Sequence, residues 1–321
     1  MFRRPDYAEV SAVVMNTFMV MKVWGDKARP AAAKAFREIR RAESLMSAFN
    51  PSSDVSRVNR EAGVRAVKVS RETCEVLNRA LAVSRLSGGA FDVTAGPVTM
   101  LWKKALDSRR LPEKGDIGRA LQLVGYTLLE VDTSRRLIHL KNRGSSIDLG
   151  GIAKGYAADK ALSVFRRYGV SSALLDIGGN IAAFGTKPDG GPWMVGIQDP
   201  AAERGSFLGA VGVVDKAVVT SGGYEQYMEV GGRRYHHIVD PRTGMPANPG
   251  IRSATVIADT GLEADSLSTA AFVLGPRSGA ELVEACGADA VFVGDSGKIG
   301  LTAGIACAFA KEPGTLINTV P

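Results

Sequence analysis

The sequence is sparing in the residues that staple, anchor or advertise a chain. Only three of its 321 residues are cysteine, and Cys74, Cys286 and Cys307 are odd in number and far apart. That spacing excludes a disulfide framework and a thiolate metal knuckle, so reduced, buried thiols are expected. No apolar run reaches the roughly 20 residues that span a bilayer, so no transmembrane segment is expected. Residues 1–10 include Arg3 and Arg4 but hold no apolar stretch of the kind found in a signal peptide. They are expected to form a tail, and the chain as given is expected in the cytoplasm; a leader lost upstream would move it to the periplasm. The Gly-x-Gly-x-x-Gly fingerprint, the Walker phosphate loop, the Gly-x-Ser-x-Gly elbow and Cys-x-x-Cys are all missing, which removes the common nucleotide and hydrolase templates.

Charge of one sign is not concentrated either. The net charge is +7, but Lys and Arg are scattered in doublets such as Arg40-Arg41 and Arg166-Arg167 at the ends or polar faces of expected helices. No nucleic-acid recognition signature accompanies them, and no nucleic-acid partner is expected. With 45% hydrophobic residues the chain can bury a large core. No Pro-rich, Ser-rich or singly charged linker divides it, so residues 11–321 are read as one domain.

Ser11 to Gly25 is apolar, β-branched and aromatic and reads as one strand. Residues 31–49 carry Ala32, Phe36, Ile39, Leu45 and Met46 at helical spacing. Further helices are expected from a Ser70 cap, from Pro97, over residues 153–168 closed by Gly169, and over residues 262–274. Residues 127–131 and 136–140 form an expected hairpin. A second lies within the extended stretch 219–239, turning at Gly231-Gly232, and residues 253–258 form a strand. Strands and helices mix without strict alternation, which places the fold in the α+β class.

Four segments could carry chemistry. In Asp148-Leu149-Gly150-Gly151-Ile152-Ala153-Lys154, two glycines let a ligand approach the backbone, a helix N-terminus follows, and Lys154 adds positive charge. An ordinary strand-to-helix turn would use the same residues. Asp265 and Thr269 lie four apart on a helix and can turn two hard oxygens toward one cation, a set that suits Mg²⁺, or they can simply cap and back-bond. His236 and His237 face opposite sides of a strand, so at most one enters a given site. The following Asp240-Pro241-Arg242-Thr243-Gly244 exposes polar groups at a turn, or only closes it. Gly88 to Pro97 sets Phe91 beside Asp92, where a flat heterocycle could stack, or where Phe91 could fill core.

These segments stand in order with Met15-Asn16-Thr17-Phe18, Met46-Ser47-Ala48-Phe49-Asn50-Pro51, Asp176-Ile177-Gly178-Gly179-Asn180, Pro192 to Pro200 and Thr220-Ser221-Gly222. Together they resemble the FAD:protein FMN transferases of the ApbE family, from about Val14 to Gly275. The resemblance implies an α+β fold containing a tunnelling-type sheet-and-helix unit. It also implies Mg²⁺-dependent transfer of FMN from FAD to a Thr or Ser hydroxyl of an acceptor flavoprotein. It sets Met15, Phe49, Ala90, Phe91, Asp92, Asp148, Lys154 and Ile238 around FAD. Gly151, through its carbonyl, would join Asp265 and Thr269 as metal ligands. His237 matches the family's catalytic histidine, with Asp240 or Asp92 as other candidate bases. Asn16, Phe49 and Asn180 depart from the family's usual glycine, tyrosine and aspartate. Water in place of the acceptor would make the same site an FAD pyrophosphatase, and a site that never cleaves FAD would be a carrier.

Overall fold

Alternation of side chains along the central strands decides how the layers stack. The computed structural model describes residues 6–312, 315 and 317–319. Nine strands form one large sheet whose spatial order follows the chain: β1 (Tyr7–Val14), β2 (Thr17–Trp24), β3 (Ser172–Ile177), β4 (Asn180–Phe184), β5 (Ala217–Gly222), β6 (Ile251–Ala258), β7 (Asp289–Gly294), β8 (Ile299–Leu301) and β9 (Ile317–Thr319). Neighbours are antiparallel, except β8 and β9, which are parallel. In β5, β6 and β7 adjacent residues point to opposite faces. Val219, Ala254, Val256, Ala290 and Phe292 enter one core, and Val218, Ile257, Val291 and Val293 enter another.

The helices are α1 (Ala28–Met46), α2 (Asp54–Arg60), α3 (Arg71–Leu86), α4 (Gly96–Ser108), α5 (Lys114–Leu121), α6 (Ala153–Tyr168), α7 (Gly261–Leu274) and α8 (Pro276–Ala285). Helices α1, α3, α6 and α7 contribute Ile39, Leu77, Phe165 and Phe272 to the first core. The opposite face is covered by a three-stranded sheet of Trp193–Gln198, Phe207–Val213 and Phe309–Lys311, which supplies Trp193, Ile197 and Val211. Helix α7 is buried along nearly its whole length between α6 and the sheet, in keeping with a sequence of mostly small and apolar residues whose few polar groups form no single solvent-facing side. No helix among the described residues is long and apolar enough to cross a membrane.

The α+β class is as expected, as are the Ser70 cap of α3, Pro97 in the first turn of α4, and Gly169 closing α6 in the left-handed conformation. The single strand expected over Ser11–Gly25 is instead a hairpin. Val14 pairs with Thr17, and Met15 and Asn16 turn the chain at φ 50° and 60°. No glycine marks this turn; asparagine tolerates the left-handed region, and Glu43 Oε1 accepts the Met15 N–H at 2.6 Å. Residues 1–5 of the expected tail lie outside the described residues, while Tyr7–Val10 already belong to β1. Helices α2, α5 and α8 were not anticipated, being too short for a full periodic signal. The extended stretch 219–239 divides into β5 and a separate hairpin, Tyr227–Val230 with Arg233–His236, turning at Gly231 and Gly232 as expected.

Candidate functional site

Segments distant in sequence converge on one cleft of about 1000 Å³. Its wall begins with the loop that feeds α6. Asn59 of α2 clamps the backbone of Ile147, accepting its N–H at 2.7 Å and donating to its carbonyl at 3.0 Å. Just beyond, Asp148 Oδ1 accepts the Gly150 N–H at 2.8 Å, and its Oδ2 accepts the Thr99 hydroxyl at 3.2 Å. Lys154 donates to the Gly150 carbonyl at 3.0 Å, which folds its positive charge back over the loop. Gly151 is closely packed here: a Cβ would stand 3.2 Å from Thr269 Oγ1 and 3.3 Å from the Phe91 ring, so those side chains would have to give by a few tenths of an ångström.

Helix α7 forms the facing wall. Asp265 is 4% exposed and its Oδ2 accepts the Gly155 N–H of α6 at 2.9 Å. Among the described residues no Lys, Arg or His pairs with it. A buried carboxylate without a positive partner is costly unless a cation joins it. Thr269 Oγ1 is 3.2 Å from Ser221 Oγ, which is 2.9 Å from Ser268 Oγ. Among the described residues no three His, Cys, Asp or Glu side chains are grouped so that they could hold a metal ion. The donors are therefore mixed hard oxygens, one of them charged, and they fit Mg²⁺ rather than zinc.

The strand Arg233–His236 ends before His237, which lies in the bend that follows, and the two histidines meet different surroundings. His236 is buried; its Nε2 lies 2.8 Å from the Ala247 carbonyl and its Nδ1 accepts the Ile238 N–H. Burial lowers its pKa to about 4, against the pull of the Ala247 carbonyl, so it is a neutral structural group. His237 opens into the cleft. Its Nδ1 lies 3.3 Å from the Gln226 carbonyl, which can only accept, so Nδ1 carries the proton and Nε2 is the basic nitrogen. One side of the ring meets water, yet protein surrounds the rest; this desolvation lowers its pKa below 6.5, with Lys154 adding to the shift and the Gln226 carbonyl opposing it.

Every expected site residue except Asp240 lines this cleft. Asp240 accepts Arg242 N–H, Nε and Nη2, each at 2.9 Å, and its turn closes on itself. A bidentate guanidinium holds that carboxylate away from proton transfer. Asp92 is buried and takes both the N–H and the hydroxyl of Thr94 at 2.7 Å; burial raises its pKa. Phe49 stands 54% exposed at the rim, with Lys103 Nζ 4.0 Å from its ring centroid. Residue-level reasoning passed over Ser221, Glu43 and Gly155. For Gly155 a signal existed: a glycine inside a helical pattern marks a close packing contact.

A family model described as the ApbE family matches residues 15–292. The chain belongs to the ApbE family. It is 34% identical over 285 residues to an FAD:protein FMN transferase of Klebsiella pneumoniae (strain 342), covering 88% of each chain. An FAD:protein FMN transferase of Treponema pallidum (strain Nichols) is 34% identical over 313 residues, 91% of this chain and 86% of the relative. Among solved structures, the ApbE protein of Thermotoga maritima superposes with a TM-score of 0.87 at 32% identity, covering 96% of this chain and all of the other. The flavin transferase ApbE of Vibrio cholerae gives 0.84 at 25% identity, covering 95% and 99%. The ApbE match runs from the β1–β2 turn into β7 and so includes every wall of the cleft.

Proposed function

We propose that this protein transfers the FMN half of FAD to a Ser or Thr hydroxyl of an acceptor protein and releases AMP. The observation that carries the proposal is the buried Asp265 carboxylate, which no Lys, Arg or His pairs among the described residues, set with Thr269 and Gly151 in the same cleft as His237. Asp265, Thr269 and the Gly151 carbonyl would hold Mg²⁺, which when bound neutralises pyrophosphate charge and makes AMP a better leaving group. The cleft is large enough for a dinucleotide, and Phe91, Met15 and Ile238 offer apolar surface to a flat ring. Lys154 and the loop at Gly150 bring positive charge and backbone to the phosphates.

The acceptor hydroxyl attacks the phosphorus of the FMN half, the P–O bond to the AMP phosphate breaks, and a phosphoester to FMN forms. His237 Nε2 takes the hydroxyl proton. Its lowered pKa keeps it neutral, and hence able to act as a base, at pH 7. Asp240 is unsuited to this role because Arg242 occupies both its oxygens.

The test is a mass measurement on a candidate acceptor after incubation with the protein, FAD and Mg²⁺. An acceptor heavier by one FMN is expected, and Asp265→Ala should abolish the Mg²⁺-dependent gain. Free FMN beside an unmodified acceptor would assign hydrolysis instead, and full Mg²⁺-dependent transfer by Asp265→Ala would refute the cation site.

A further inference from the structure

Helices α6 and α7 meet through three rungs at four-residue intervals on each chain segment. At the first, the Cβ position of Gly151 lies 3.2 Å from Thr269 Oγ1. At the second, the Gly155 N–H donates to Asp265 Oδ2 at 2.9 Å. At the third, the Gly261 N–H donates to Asp159 Oδ1 at 2.7 Å, and the neighbouring Leu262 N–H to its Oδ2 at 3.0 Å. Residues 151, 155 and 159 thus face 269, 265 and 261 in antiparallel order. Positions four apart share a helix face, so each ladder is continuous. The segments come this close because of glycine: a Cβ on Gly155 would stand 2.0 Å from the Gly261 carbonyl oxygen.

The third rung is remote from chemistry. Asp159 does not line the cleft; it borders a smaller cavity of about 570 Å³ against α3, α6 and the start of α7. Nor is it the ordinary cap of α7, because Thr260 Oγ1 already accepts the Glu263 N–H at 3.2 Å. What Asp159 adds is a bond from α6 to two donors of α7, the mirror of the bond that Asp265 of α7 makes to α6. Between them the two carboxylates remove any sliding freedom along the crossing. A slip at the third rung moves Asp265 and Thr269 relative to Gly151 by the same amount, since a helix is stiff over two turns.

We propose that Asp159 is a positioning residue for the cation site, which sets the register of α7 on α6 and through it the spacing of the oxygens at the first two rungs. The inference rests on the reading of the cleft as a Mg²⁺ site. Groups bonded directly to metal ligands typically contribute ~10–100-fold to metal affinity; Asp159 acts one helical turn further away, through the backbone of Gly261 and Leu262, and its effect is placed at the lower end of that range.

The test is a Mn²⁺ titration followed by electron paramagnetic resonance, with FAD present and no acceptor. Wild-type protein is compared with Asp159→Asn, which keeps the size but loses the charge and one acceptor oxygen. Thr260→Ala serves as control: it removes a cap from the same end of α7 without cutting the link to α6. Asp159→Asn is expected to weaken Mn²⁺ binding about 10-fold. Thr260→Ala is expected to lower the melting temperature with Mn²⁺ affinity unchanged. Asp159→Ser, which leaves neither buried charge nor excess bulk, should repeat the weakening should Asp159→Asn not fold. Wild-type Mn²⁺ affinity in the Asp159 variants, or equal weakening by Thr260→Ala, would overturn the proposal. Absence of Mn²⁺ binding by wild type would instead overturn the cation site itself.

Discussion

Replacing Gly155 by alanine adds a single methyl group at the point where α6 and α7 touch. That methyl carbon would lie 2.0 Å from the Gly261 carbonyl oxygen, 2.4 Å from its carbon and 2.8 Å from Asp265 Cβ. Relaxed carbon contacts sit near ~3.5–4.0 Å, and the first two obstacles are backbone that no rotamer change can clear. The helices must therefore separate by more than about 1 Å. Overpacking of this kind costs about 1–3 kcal/mol and sometimes more, which in a chain of this size lowers Tm by roughly 1.5–4.5 °C. The same separation pulls Asp265 and Thr269 from Gly151, and a misplacement near 1 Å costs about 100-fold in rate. Differential scanning fluorimetry and FMN transfer measured across Mg²⁺ concentrations would read both effects. Gly118→Ala in α5 is the control, since a Cβ there meets nothing within 4 Å and helix propensity favours alanine by up to ~1 kcal/mol. Wild-type melting and wild-type transfer in Gly155→Ala would refute the close crossing and the dependence of the site upon it.

The other predictions concern titration. Transfer should fall as pH drops through the lowered pKa of His237, with a midpoint below 6.5 because protonation removes the base; a pH–rate profile of kcat/KM in wild type and His237→Gln checks this, and a limb that survives the substitution excludes His237. Asp240→Asn should keep most of the turnover, because that carboxylate is engaged by Arg242 outside the cleft; a loss above about 100-fold, the scale of general-base removal, would return Asp240 to the mechanism. His236 is neutral in the folded chain down to about pH 4 but protonates near 6.5 when unfolded. Unfolding then takes up a proton, so stability is complete above pH 6.5 and decreases by about 3 kcal/mol as pH falls to 4. Asp159, raised to about 6 by burial, acts in the opposite sense over much of that window. Denaturant curves for wild type and His236→Gln at several pH values isolate the histidine component, and an unchanged pH slope would show that it is absent.

Short-range chemistry made much of this protein legible. Ser70, Pro97 and Gly169 each act on their own turn of helix, and each stands where its local preference requires. The four-residue interval between Asp265 and Thr269 put two oxygens on one helix face without reference to any other part of the chain. Strand alternation anticipated that at most one of His236 and His237 would enter a given site, although the strand ends at His236 and it is the bend after it that takes His237 into the cleft. The ordered motifs also identified the ApbE family, since their order and spacing hold even where individual segments have ordinary structural readings.

Packing decided the rest. The β1–β2 turn uses Met15 and Asn16 at positive φ, held in part by Glu43 from α1, and nothing in the apolar run from Ser11 to Gly25 required the chain to reverse there. Asp240 stands in a motif shared with His237, yet its oxygens turn to Arg242, because a flexible guanidinium two residues away offers a better partner than an open cleft. The approach of Gly155 to Asp265 joins residues 110 positions apart. Periodicity and capping act over a few residues and are written in the local sequence; the meeting of α6 with α7 depends on the sheet and core that carry both, and only the folded chain expresses it.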